Sequence, residues 1–224
     1  PVIVISGHGS IDVAVKAVKM GAFDFLEKPL SLEKVVTLVR NALELQKLRQ
    51  ENRQLRDSLQ PRQQMIGRSP HLETIRGIIE QSAETDSTIM ITGENGTGKE
   101  LVAREIHRKS RRASGPFVEV NCAAIPDTLI ESELFGHEKG AFTSAVSRRR
   151  GKFEQADRGT LFLDEVADMS LSAQAKMLRV IQEMKFERIG GEESLSVDVR
   201  LIAATNKNIL EEIQAGNFRE DLYY

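Results

Sequence analysis

Thr88-Ile89-Met90-Ile91-Thr92-Gly93-Glu94-Asn95-Gly96-Thr97-Gly98-Lys99-Glu100 carries an apolar strand directly into a glycine-rich loop, and Leu101 to Lys109 continues as a helical pattern. Strand, Gly-x-x-x-x-Gly-Lys loop and helix in this order make a phosphate-binding loop in the setting its chemistry requires. Glycines let the backbone wrap around phosphate oxygens and aim several N–H groups inward. The following helix N-terminus adds a favourable dipole, and Lys99 can reach the β- and γ-phosphates of a nucleoside triphosphate. A chance glycine turn is the competing reading, and the strand and helix on either side argue against it. Gly93, Glu94, Asn95, Gly96, Thr97, Gly98, Lys99 and Glu100 are therefore the candidate nucleotide-binding residues.

One position departs from the general pattern: Glu100 stands where a Ser or Thr hydroxyl normally ligates Mg²⁺. The metal must then lean on other oxygens. Gly159-Thr160-Leu161-Phe162-Leu163-Asp164-Glu165 ends an apolar strand with two acids. Asp164 is placed to hold Mg²⁺ through water, and Glu165 to polarise the attacking water. Paired acids after a strand can also simply cap the next helix. A third strand, Val199 to Ala204, ends in Thr205-Asn206, and Asn121 closes Phe117-Val118-Glu119-Val120. Each Asn is either a polar group facing the γ-phosphate or an ordinary loop cap.

Strands and helices alternate from Met65 to the end, which argues for a parallel α/β sheet. Ser69-Pro70 marks a helix start, with Leu72, Ile75, Ile78 and Ile79 as its expected buried face. Residues 1 to about 31 read strand, helix, strand. Val2 to Ile5 is an apolar run, Ser10 can cap a helix carrying Ile11, Ala14, Val15 and Val18, Gly21 stops it, and Phe23 to Leu26 is a short strand before Lys28-Pro29. So few strands cannot complete a sheet, and the chain, beginning at Pro1, reads as a fragment cut at both ends. Between these zones a helical pattern runs from Leu32 to Leu59, about 42 Å at ~1.5 Å per residue. Leu45, Leu48, Asn52, Leu55 and Leu59 form a coiled-coil seam with one Asn, which favours a parallel dimer; the alternative is a single helix lying on a neighbouring domain.

Composition narrows the function classes. The 224 residues carry 31 Lys+Arg against 33 Asp+Glu, a net charge of −2, so no global field attracts nucleic acid. Any DNA contact must come from a local patch or another segment. No apolar run approaches the ~18 residues of a membrane helix, and the single Cys122 excludes an intramolecular disulfide, as fits a reducing cytoplasm.

Together these residues resemble the AAA+ ATPase domain of sigma-54-dependent transcription activators, the bacterial enhancer-binding proteins. The similarity is dense from Ile66 to Tyr224: GENGTGKE at 93–100, VNCAAIP at 120–126, ELFGHEKGAFTSA at 133–145, GTLFLDE at 159–165, RLIAATN at 200–206 and FREDLYY at 218–224. Glu after the loop lysine is usual in that family. Residues 1–45 resemble the C-terminal part of a flavodoxin-like two-component receiver domain, with Ser6 at the hydroxyl switch position and Lys28-Pro29 at the lysine–proline pair, usually joined by a cis bond. Receiver, linker helix over 32–60 and ATPase over 65–224 resemble the NtrC-type response regulators.

The resemblance implies ATP and Mg²⁺ as cofactors, with Lys99 on phosphate, Asp164 on the metal and Glu165 as the water activator. Asn121 matches a partner that restrains the catalytic glutamate, Asn206 the first sensor, and Arg219 an arginine offered to the neighbouring subunit, so activity implies a ring. Gly140, Ala141, Phe142, Thr143, Ser144 and Ala145 match the GAFTGA loop that contacts sigma-54, with Ser144 replacing the second glycine. From chemistry alone, Phe142 on a glycine-bounded loop is an exposed moving contact or a buried ring. Arg148-Arg149-Arg150 either lines a pore, faces DNA or is solvated. The implied partners are sigma-54 RNA polymerase, a cognate sensor histidine kinase acting on the full receiver, enhancer DNA through a helix-turn-helix beyond Tyr224, and further copies of the chain, with no membrane. The expected function is an ATPase that remodels sigma-54 polymerase. The alternatives are a divergent DNA-binding regulator that acts without sigma-54 because of Ser144, and a generic AAA+ remodelling ATPase.

Overall fold

A computed structural model describes residues 1–7, 11–59, 65–143 and 145–224, and only the backbone of residues 11, 12, 49 and 52–59. The chain divides into two compact units, Pro1–Gln63 and Gln64–Tyr224.

In the first unit, strand β1 (Ile3–Ser6), helix α1 (Ile11–Lys19) and strand β2 (Asp24–Glu27) precede helix α2 (Leu32–Leu59). The two strands pair in parallel with Ser6 opposite Glu27. The Lys28 N–H donates to the Ser6 carbonyl at 2.9 Å, so Ser6 and Lys28 meet at one end of the strand pair. The Lys28–Pro29 bond is cis. The expected cap Ser10 lies outside the described residues. Along α2, Val35, Leu38, Ala42 and Leu45 recur at spacings of three and four and are the inward, buried or half-buried stripe. Leu32, Val36, Val39 and Leu43 form a second, exposed stripe. In the expected dimer seam Leu48 is exposed, and the side chains of Asn52, Leu55 and Leu59 lie outside the described residues.

The second unit is a parallel sheet flanked by helices. Helix α3 (Pro70–Ala83) leads to strand β3 (Ile89–Thr92), helix α4 (Lys99–Lys109) and strand β4 (Phe117–Asn121). Helix α5 (Asp127–Phe135), the short pair β5 (Gly136–His137) and β6 (Arg149–Arg150), and helix α6 (Lys152–Gln155) come next. They are followed by β7 (Thr160–Asp164), α7 (Leu171–Glu183), the hairpin β8 (Lys185–Glu187) and β9 (Ser194–Ser196), β10 (Arg200–Thr205), α8 (Ile209–Gln214) and α9 (Glu220–Tyr223). The main sheet has the order β3-β10-β7-β4, all parallel. Its central strands β7 and β10 are buried almost throughout, as a strand covered on both faces requires. The two halves of the core lie around Leu161, Leu163, Leu201 and Ala203, and around Phe162, Ile202, Ile79 and Ile106. Successive residues of β7 and β10 thus feed opposite faces.

Helix α3 begins where expected, with the Ser69 hydroxyl accepting the Leu72 N–H at 3.3 Å. Its buried face differs from the expected one: Ile75 and Ile78 are exposed at 36% and 56%, and the inner stripe runs Leu72, Arg76, Ile79, Ala83. Arg76 takes an apolar place in that stripe because its guanidinium donates to the Met65 and Gly67 carbonyls, each at 2.9 Å.

Candidate nucleotide site

Parallel strands end on the same side, so the tips of β3, β10, β7 and β4 collect the loop from Gly93, Thr205-Asn206, Asp164-Glu165 and Asn121. The Gly93 N–H donates to the Thr205 carbonyl at 3.2 Å, fastening the start of the loop to the sheet centre. Gly96 and Gly98 have φ of 80° and 90°, a region that strains any residue with a Cβ, and this curls the loop around its interior. Gly98 is the N-cap of α4 and no side chain caps that helix, leaving its first N–H groups for an anion. Lys99 is 8% exposed and donates to the Gly93 carbonyl at 3.0 Å, folded back over the loop.

The acid pair comes to the same place. Lys99 Nζ is 3.2 Å from Glu165 Oε1. Glu165 is a non-glycine residue at φ 50°, ψ 50°, a left-handed conformation uncommon for a side chain with a Cβ. Its other oxygen accepts the Asn206 backbone N–H at 2.9 Å. Asp164 accepts the Glu165 N–H at 3.1 Å, and burial first, then the Glu165 charge, push its carboxyl above the usual range. Asn121 lies opposite Asp164 in the β4–β7 register, but its side-chain oxygen accepts the Ala124 N–H at 3.1 Å. The structure therefore brings Lys99, Glu165 and Asn206 together, with Asp164 next to Glu165, and spends the Asn121 oxygen on a turn.

Among the described residues, no group of three or more His, Cys, Asp or Glu side chains is gathered to hold a metal by itself. The two carboxylates at the β7 tip, Asp164 and Glu165, are donors of a kind that fits Mg²⁺ shared with a polyphosphate, since this ion keeps waters and takes one or two carboxylates alongside phosphate oxygens. Glu100 is engaged elsewhere, accepting from Arg104 Nε at 2.8 Å.

Arg219, at the N-cap of α9, is half-buried and pairs with Asp221 at 2.9 Å through Nε. Its backbone N–H donates to Gln174 Oε1 at 2.9 Å. Gln174 is wholly buried and also donates to the Met169 and Asn217 carbonyls, so one amide holds three segments. Sequence reasoning missed Gln174; the signal was a polar residue beside the apolar stripe Ala173, Met177, Val180.

The loop from Gly140 to Ala145 closes on itself: Gly140 N–H donates to the Ala145 carbonyl and Ala145 N–H to the Phe142 carbonyl, both at 2.9 Å. Phe142 is half-buried, its ring 4.8 Å from and edge-on to that of His137, rather than fully exposed. Thr143 is exposed, Ala145 is buried, Ala141 is half-buried, and Ser144 lies outside the described residues. A Cβ on Gly190, at φ 72°, would come within 2.7 Å of the Ala141 Cβ, so only glycine lets the β8–β9 turn approach this loop. Arg188, also missed in the sequence, is 4% exposed and grips Glu154 through two bonds of 2.8 and 2.6 Å and Glu138 at 2.8 Å. Arg149 pairs with Glu133 at 2.6 Å and Arg148 with Glu138 at 3.5 Å, so that part of the basic run is solvated and ion-paired.

Fold and site together define a P-loop α/β protein with an acid pair and a polar strand tip facing the loop lysine. More narrowly, residues 65–224 match the sigma-54 interaction domain, and the chain belongs to that family. It is 48% identical, over its whole length, to the regulatory protein AtoC of Escherichia coli and covers 49% of that protein. It is 49% identical to the DNA-binding transcriptional regulator NtrC of Rhizobium meliloti, covering all of this chain and 46% of that one. The crystal structure of NtrX from Brucella abortus in complex with ATP superposes with a TM-score of 0.74 at 46% identity, over all of this chain and 47% of that chain. The chain thus spans about half the length of the curated relatives it matches. Among the described residues, no helix is long and apolar enough to cross a membrane.

Proposed function

We propose that this chain belongs to a two-component response regulator whose AAA+ ATPase hydrolyses ATP to remodel sigma-54 RNA polymerase and activate transcription. The observation that carries the reading is the 3.2 Å approach of the loop lysine Lys99 to Glu165 at the tip of the buried strand β7. Lys99 and the free N–H groups of the α4 N-terminus bind the phosphates. Asp164 holds Mg²⁺, which when bound supplies positive charge that stabilises the phosphates during transfer. Glu165, steadied by the Asn206 N–H, takes the proton of the attacking water. Arg219 serves the site of a neighbouring copy, which makes a ring the active form.

The relatives named as transcriptional regulators support the regulatory part of the reading, and the loop 140–145 supports sigma-54 as the target. The first unit is read as part of a receiver domain, on the adjacency of Ser6 and Lys28. A sensor histidine kinase would act on that domain, and α2 would pair two copies. The test is ATP turnover with Mg²⁺ by the intact protein and by Glu165→Gln. Turnover should fall ~10²-fold or more in the variant while ATP still binds. Near-normal turnover would overturn the assignment of Glu165.

A further inference from the structure

Glu100 follows the loop lysine directly, and a carboxylate there has the wrong sign beside a polyphosphate. Arg104, one helical turn on, donates from Nε to Glu100 Oε1 at 2.8 Å. Its Nη2 reaches Glu119 Oε1 on β4 at 2.5 Å. The guanidinium carbon lies 5.0 Å from the centre of the Phe117 ring, which fixes the plane of the fork. One side chain thus spans the phosphate-loop helix and the outer strand and holds two carboxylates. Burial foremost pushes the Glu119 carboxyl up, Arg104 opposes this, and Glu100 and Asp164 add to it. Glu100 also presses on Asp164, so the acids on this flank repel one another and Arg104 is the cation paired with two of them.

We infer that Arg104 is a positioning residue for the nucleotide site: it draws Glu100 toward Glu119 on β4 and offsets one of their two negative charges. A carboxylate can then stand in the hydroxyl position of the loop with its opposition to the negative charge of the bound triphosphate reduced. The inference rests on the proposal that the loop binds ATP. A planar fork suits this task because it engages two carboxylates in fixed directions, which an ammonium group does not. Freed of Arg104, Glu100 keeps its full charge and is free to turn toward the phosphates, and like charges a few ångströms apart in a half-buried site repel strongly.

The test is calorimetric titration of the intact protein with Mg·ATP, as a cycle of native protein, Arg104→Met, Glu100→Gln and the double variant. Methionine keeps an apolar stem near Phe117 and removes the charge. Arg104→Met should weaken ATP binding about tenfold, and the loss should shrink in high salt. In the Glu100→Gln background the same Arg104→Met change should cost less than threefold, because the repelling charge is gone. Arg104→Lys, a milder change should methionine impair folding, should fall between native and Arg104→Met. Native binding with an unaltered Arg104→Met, or an equal loss in both backgrounds, overturns the inference alone. Absence of ATP binding by the native protein overturns the phosphate-loop proposal and this inference with it.

Discussion

Lys99 Nζ and Glu165 Oε1 stand 3.2 Å apart, so the lysine of the phosphate loop and the acid proposed to activate water are ion-paired to each other. Both are withdrawn from solvent, with side chains 8% and 15% exposed. Under the proposed function, an arriving γ-phosphate would compete for Lys99 and release Glu165 to accept a proton. Binding and activation would thereby be linked through one contact.

Lys99→Ala should therefore abolish measurable ATP binding, since it removes the charge that meets the phosphates and leaves Glu165 without its cation. Equilibrium binding of a fluorescent ATP analogue reads this directly. Native-like affinity in the variant would remove the phosphate loop from the account.

The half-buried Arg219 pairs with its near neighbour Asp221. If it serves a neighbour, mixing Arg219→Ala with Glu165→Gln subunits should restore part of the ATPase that each lacks alone, because an intact arginine then meets an intact site. An arginine supplied in trans can be worth ~10³ in rate. With mixed rings demonstrated by mass spectrometry, activity no higher than either parent would contradict the trans role.

Gln174 holds the backbone from which Arg219 projects. Gln174→Ala removes the partner of the Met169 and Asn217 carbonyls and of the Arg219 N–H, and should lower stability by about 1–3 kcal/mol. Chemical denaturation checks the magnitude.

His107 is buried against Thr160, its Nδ1 2.8 Å from the Thr160 hydroxyl oxygen. Burial first, then the charges of Arg200 and Arg104, lower its pKa from 6.5 to about 4. Between these values the unfolded chain binds a proton that the folded one refuses, so stability falls as pH drops from 6.5 toward 4. The slope from this group is at most ~1.4 kcal/mol per pH unit. His107→Gln can still hydrogen-bond Thr160 but does not titrate. The stability difference between native protein and variant should shrink toward low pH, and a constant difference would contradict this reading.

The phosphate loop, the acid pair and the strands around them are legible in the sequence because each signal is local. An apolar run meets glycines, or two acids close a strand. What escapes is long-range polar pairing. Arg104 with Glu119, Gln174 with Asn217 and Arg188 with Glu138 join residues far apart in the chain, and no periodicity marks such partners. The inner face of α3 holds the expected Leu72 and Ile79 but not Ile75 and Ile78, for the same reason. Arg76 occupies it because its donors find the Met65 and Gly67 carbonyls, while Ile75 and Ile78 turn outward. Phe142 shows the converse: its loop is recognisable from sequence, but its packing on His137 depends on a fold that brings the two rings together.

Nucleotide-dependent engagement of sigma-54 is the central claim, and its most direct measurement is capture of sigma-54 by the intact protein in the presence of a transition-state nucleotide analogue. The account predicts capture by the native protein, loss with Phe142→Ala, which deletes an aromatic anchor of the kind that dominates interfaces, and retention with Ser144→Gly. No capture by the native protein, with capture gained only on Ser144→Gly, would contradict it and identify a regulator that acts without sigma-54.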